Sequence, residues 1–276
     1  MSHTTSSISK LLDQLIGNRG NADTRDPRWF RSHPNFWFRG QAKCEWLLQP
    51  KVLRKEQAND FANRAMTCEQ WMSQIGNGEH AIFRLAGSLF NQLQYRGHHL
   101  LNDGEKLSLT DMYFLAHHHG LPTHLLDWST NALVAAFFAV ATEPKDDGAV
   151  FVLRARHEIG GEEGGDINSD TEKVAEFVEC LLDNSSLYQD NSGAAYRIMP
   201  HMRVGRILQQ SARFTLHYPG CRDLEQIDNL VEKFVIPLGE KPAIREELRS
   251  LNVDWGTVYP DLPNLIRQVC EECGLA

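Results

Sequence analysis

Thr123-His-Leu-Leu-Asp-Trp-Ser-Thr-Asn-Ala-Leu-Val-Ala-Ala-Phe-Phe-Ala-Val-Ala141, followed by Gly148-Ala-Val-Phe-Val-Leu153, carries the reading that decides the fold. Thr123 to Thr130 reads as a short extended segment, and Asn131 is placed to cap a compact apolar helix over 131–141. The β-branched and aromatic run at 148–153 reads as a buried strand. Working outward, Asn35-Phe-Trp-Phe-Arg-Gly40 is an aromatic strand ended by glycine, and Trp46-Leu-Leu-Gln-Pro50 leads into a loop with the basic run 51–55. Further strands are predicted at 212–217 and 231–237, and helices at 109–119, 242–251 and 262–273. Apolar residues at helical spacing predict a helix over 69–95, broken near Gly76 and Gly78. Ile8, Leu11, Leu12, Leu15 and Ile16 predict another near the start, followed by a turn-rich linker.

Strands and helices do not alternate regularly, so the expected class is α+β, with a split or two-sheet core of short strands flanked by helices. Residues 1–34 form an N-terminal helical extension and linker, and 35–276 the α+β domain. The Gly/Glu/Asp/Ser-rich stretch 158–170 reads as a solvated loop.

The formal charge of −8 argues against a broad phosphate-binding face, although Arg203, Arg206 and Arg213 could still meet an anion locally. Six scattered cysteines without a leader peptide point to reduced thiols in the cytoplasm. Cys270-x-x-Cys273 has no second pair to make a redox or zinc site. The longest apolar run, 132–140, is about half the roughly 20 residues a membrane span needs, so no membrane partner is expected.

Chemistry concentrates in two segments. Arg39, beside a glycine, could hold a phosphate or pair with a carboxylate of the protein itself. Between Ala116 and Asn131 lie three adjacent histidines, Thr123, Asp127, Ser129 and Thr130 in a turn-punctuated stretch. Consecutive histidines on a helix point in different directions, so no metal is expected. His118 is placed to orient a neighbour, Asp127 to act as base, ribose acceptor or ion-pair partner of Arg39, and Ser129 and Thr130 to cap the following helix. No hydrolase elbow, phosphate loop or dinucleotide loop occurs.

Phe38-Arg-Gly-Gln41, Trp46-x-Leu-x-Pro50 and His118-x-Gly-Leu-Pro-Thr-x-Leu-Leu-Asp-Trp together closely resemble the FRG domain family. Gln210-x-Ala-x-Phe-Thr215 and Thr257-Val-Tyr-Pro-Asp-Leu262 resemble further blocks of that family. His124 stands where the family usually has arginine, and Ala212 where it usually has glycine. A more distant resemblance is to ADP-ribosyltransferases, with their aromatic-Arg-Gly strand, Ser/Thr pair and later acidic residue. That resemblance implies an NAD-dependent enzyme, a bacterial toxin or anti-phage defence effector that modifies a macromolecular acceptor and is restrained by an antitoxin or other regulatory protein. It implies Arg39, Gly40, Gln41, His118, Thr123, Asp127, Ser129 and Thr130 as the NAD-binding set. Arg39, Asp127, Gln210 and Asp261 are the implied catalytic set, with Gln210 at the position of the glutamate and Asp127 or Asp261 supplying the charge a glutamine lacks. The alternatives are a non-catalytic nucleotide- or partner-binding module, and a structural ion pair between Arg39 and Asp127 that fixes the core.

Overall fold

The structure, a computed structural model, describes residues 3–4, 7–17, 36–53, 79–101, 107–143, 145–154, 167–169, 171–183, 195–200, 210–218, 221, 223–227 and 230–275. The linker after residue 17, the first part of the helix expected over 69–95, residues 158–166 and 170 of the expected solvated loop, Cys68, Arg203 and Arg206 lie outside them; Ile167–Asn168 of that loop form a short strand instead.

The strands are β1 (His3–Thr4), β2 (Phe36–Gln41), β3 (Leu125–Ser129), β4 (Gly148–Arg154), β5 (Ile167–Asn168), β6 (Ala195–Met199), β7 (Ala212–His217) and β8 (Val231–Ile236). They form one sheet in the order β1-β8-β4-β2-β3-β7-β6-β5. The six inner strands are antiparallel, and the two-residue strands β1 and β5 pair parallel at the rims. The α+β class stands, and of the two expected arrangements, split or two-sheet, the two-sheet core is corrected to a single sheet. A split does survive inside it. β2 pairs with β4 along Phe36–Gln41 and β3 with β7 along Leu125–Ser129, whereas β2 and β3 share one pair, Phe38 with Ser129. Two four-strand halves meet at that single pair.

Each half has its own helical cover. On one half, α2 (Glu79–Leu101), α3 (Leu109–His118) and α5 (Glu172–Asp183) bury Phe83, Phe90, Tyr113, Phe177 and Leu181 against Leu125, Ile198, Phe214 and Leu216. On the other, α1 (Ile8–Gly17), α4 (Ala132–Val140) and α6 (Lys241–Ser250) bury Ile8, Leu11, Phe137, Ile244 and Leu248 against Phe38, Val150, Val152, Phe234 and Ile236. Side chains alternate across a strand. Accordingly Trp37, Leu126, Trp128, Phe151 and Leu153 form a third cluster with Leu48, Leu224 and Leu230. The short α7 (Trp255–Val258) and α8 (Leu262–Glu272) close the chain.

α4 is apolar on nearly every side because it is buried on nearly every side. Asn131 caps its start, accepting from the Leu133 N–H at 2.9 Å. At its end, the buried Lys241 ammonium donates to the carbonyls of Ala42 (2.8 Å), Thr142 (3.3 Å) and Glu143 (2.9 Å), and Arg245 donates to Val140 O. Cations there answer the partial negative charge of the helix C-terminus. Exchanging Lys241 for methionine is expected to lower unfolding free energy by about 2–3 kcal/mol, since three carbonyls lose a charged donor. Urea unfolding of K241M checks this.

Candidate functional site

The site lies where β2 and β3 separate. β2 continues past Phe38 to Arg39 and Gly40, and β3 brings Asp127 back toward the gap. Arg39 Nη1 donates to the Asp127 carbonyl at 2.7 Å and lies 3.7 Å from Asp127 Oδ2. The guanidinium thus bridges the two half-sheets. Burial pulls the Arg39 pKa down, and the Asp127 carboxylate opposes that shift.

The other flank is set by the end of α3. The helix starts at a capping box between Ser108 and Asp111. It stops at Gly120, whose φ of 92° is left-handed. The Gly120 N–H donates to His117 O (2.9 Å) and the Leu121 N–H to Ala116 O (3.0 Å), the paired hydrogen bonds of a Schellman stop. This fixes His117 in the last turn, its ring edge-on to Phe214 at 5.5 Å. His117 Nε2 is 2.7 Å from Asp127 Oδ1, and His117 Nδ1 is 2.6 Å from Thr123 Oγ1.

Asp127 consequently has one oxygen on His117 and the other toward Arg39 and the cavity. The protein packed around the cavity works against its ionisation, but His117, Arg39 and His118 outweigh that, holding its pKa below the usual carboxylate range. Its side chain keeps 55% of its surface exposed, so it faces a solvent-filled space. A carboxylate of this kind is a weak proton acceptor and a strong partner for hydroxyls and developing positive charge.

That space is a cavity of about 320 Å³. Arg39, Gly40, His118, Asp127, Ser129 and Gln210 all line it. Ser129 Oγ donates to Gln210 O (2.6 Å) and accepts from the Asn131 N–H (2.9 Å), so it braces the turn from β3 into α4. Gln210 Nε2 donates to Val258 O at 3.2 Å, tying α7 to the site. Phe138 and Tyr259, edge-on at 5.8 Å, add an aromatic wall. Behind it Tyr259 stacks on Trp255, which carries the Arg267 guanidinium 3.6 Å above its ring.

Four expected residues do not line this cavity. Gln41 is buried, its amide toward Leu47 O at 3.4 Å. Thr123 lies fully buried behind His117, and the Thr130 N–H donates to Ser211 O. Asp261 caps α8, its Oδ1 accepting from the Asn264 N–H (3.0 Å) and Nδ2 (2.7 Å), so among the described residues Asp127 is the carboxylate at the cavity. Arg213 donates to Ala212 O at 2.9 Å. Sequence reasoning missed His117, Lys51 and Tyr259 as lining residues. Lys51 Nζ donates to Gly120 O at 3.2 Å, securing the loop that ends α3.

Among the described residues no helix is long and apolar enough to cross a membrane. Residues 34–148 match the FRG domain family, so Arg39, His117 and Asp127 fall inside the match, and Gln210 and Tyr259 outside it. No curated protein and no solved structure matches the chain.

Proposed function

With residues 34–148 carrying an FRG domain, we propose that the cavity at the β2–β3 gap binds NAD. On this reading the chain is an ADP-ribosyltransferase-like enzyme acting on a macromolecular acceptor, as a toxin or anti-phage effector does. The observation that supports it is the convergence of Arg39 and Asp127 on one cavity with an aromatic wall. In such a transfer the C1′–N bond to nicotinamide breaks, positive charge develops on the ribose, and the acceptor oxygen or nitrogen bonds to C1′ and releases its proton to solvent. An ionised Asp127 stabilises that charge, and Arg39 meets the phosphates. Ligand pockets span roughly 300–1,000 Å³, so the cavity suits the nicotinamide ribose with the rest of the dinucleotide at its mouth.

A second reading, a non-catalytic nucleotide-binding module, is favoured by Gln210. Its amide is held on Val258 O and brings no charge to the ribose. Calorimetry with NAD, and labelled NAD incubated with cell lysate, separate the two. The expected result is that Arg39→Ala weakens NAD binding by about 100-fold or more, as loss of charge-assisted hydrogen bonds does. Asp127→Asn is expected to bind within about tenfold of wild type while label transfer disappears. NAD binding without any label transfer or nicotinamide release supports the binding module. No binding of NAD by the wild-type protein removes the transferase and leaves a module for another nucleotide only.

A further inference from the structure

Thr123, His117 and Asp127 form a hydrogen-bonded line in which the hydroxyl is innermost and the carboxylate outermost. Nucleophilic triads run the other way, with the hydroxyl at the substrate and the carboxylate behind. Here Thr123 is fully buried and the His117 side chain is 8% exposed, so neither is placed to attack a ligand. The proton positions follow from donor and acceptor accounting. An ionised Asp127 offers no proton, so His117 Nε2–H donates to Oδ1. With the imidazole neutral, Nδ1 is an acceptor, and the Thr123 O–H donates to it while Thr123 Oγ1 accepts the Leu125 N–H at 3.3 Å and the Tyr113 O–H, whose own oxygen accepts the His124 N–H at 3.0 Å.

Resting on the nucleotide reading of the cavity, we propose that His117, steered by Thr123, is a positioning residue that presents Asp127 as the acceptor for a ribose hydroxyl of the ligand. One oxygen of Asp127 is spent on His117, which turns the other toward Arg39 and the cavity. A fixed acceptor of this type selects ligands that carry the hydroxyl, because a ligand lacking it leaves a charged group without its bond. Among the described residues, the titratable and charged groups facing His117 are Asp127 from β3, Arg39 from β2 beyond it, and His118 on its own helix. β7 presents only the Phe214 ring.

The test compares His117→Phe, His117→Gln and Thr123→Val with the wild-type protein. The probes are NAD and its analogue with a 2′-deoxy nicotinamide ribose, measured by calorimetry, and the Asp127 carboxyl, titrated by carbon-13 NMR without ligand. Wild type is expected to prefer NAD by about tenfold or more, the value of one hydrogen bond to a charged group. His117→Phe is expected to reduce that preference to under about threefold and to raise the Asp127 titration by about one pH unit or more. His117→Gln, which keeps an amide donor, restores the preference. Thr123→Val gives an intermediate result. A preference unchanged in His117→Phe overturns the proposal, as does an Asp127 titration that does not move. Wild-type protein that binds neither dinucleotide overturns the NAD reading itself, and the NMR titration then separates that failure from a failure of the His117 role.

Discussion

Replacing Gly40 by alanine is expected to lower unfolding free energy by about 4 kcal/mol or more, a large share of the roughly 5–15 kcal/mol that keeps a domain folded. A Cβ at Gly40 would overlap the Ala135 carbonyl and crowd the Ala139 nitrogen, both main-chain atoms of α4 that cannot swing away. Relief requires lifting the helix off β2, which opens the cluster around Phe38, Val134 and Phe137. Gly120→Ala provides the control. Nothing lies within 4 Å of its added Cβ, so only the left-handed backbone resists, at about 1–2 kcal/mol. Denaturant midpoints for the two variants measure the difference. Equal midpoints would mean that α4 is not seated this closely on β2. The glycine of the Arg-Gly pair is thus a packing requirement, separate from the role of the arginine.

The second large effect is acid sensitivity. His124 is fully buried between the rings of Phe83 and Phe177, each centred 5.5 Å away, and among the described residues neither of its ring nitrogens has a hydrogen-bond partner. His217 is buried beside it, with Nε2 2.9 Å from Thr215 Oγ1, which also accepts from the Trp128 indole at 3.0 Å. Burial pushes both imidazoles down to about 3, with His124 and Arg39 adding to the shift at His217. Folded values below the unfolded value of about 6.5 mean that this stability is complete above that pH. It falls as pH drops toward 3, by on the order of 1.4 kcal/mol per unit for each histidine.

Between pH 6.5 and 4.5 the pair is expected to remove about 5 kcal/mol. His124→Leu is expected to halve that slope, and at pH 7.5 to match or exceed the wild type, because it removes two unpaired polar atoms. Urea unfolding across pH 7.5–4.5 tests both statements, and an unaltered slope in His124→Leu would refute the first. The same cage explains why a neutral residue stands at 124: an arginine would place a permanent charge between Phe83 and Phe177.

What could be read from the residues was what local periodicity and capping encode. Phe36–Gln41, Gly148–Arg154, the Asn131 cap and the helix after it follow from aromatic, β-branched and capping signals, each contained in under about a dozen residues. α5 was missed although Val174, Phe177, Val178 and Leu181 recur at helical spacing, because the acidic glycine-rich run before it dominates the composition. β6 is buried on both faces, with Arg197 stacked over Trp37, so it has no alternation to read. That β4 lies between β8 and β2 is a long-range pairing no local pattern carries, hence the mistaken second sheet. At the site, Arg39 and Asp127 stood out by type and neighbours. His117 did not, since three identical residues are told apart only by helix phase. Gly120 sets that phase, and the core positions Tyr113 and Ala116 put His117 on the inward side.

The single residue pair between β2 and β3 makes the middle of this sheet behave like a border. Backbone hydrogen bonds ordinarily spread a disturbance across all strands, but here the main chains of two four-strand plates share one rung, and the other links are side chains: the Arg39 strut and the cluster of Trp37 with Leu126, Trp128 and Arg197. Anything wedged between them would act as a rivet, so slowed amide-proton exchange in both plates would report occupancy even from positions that never touch the guest.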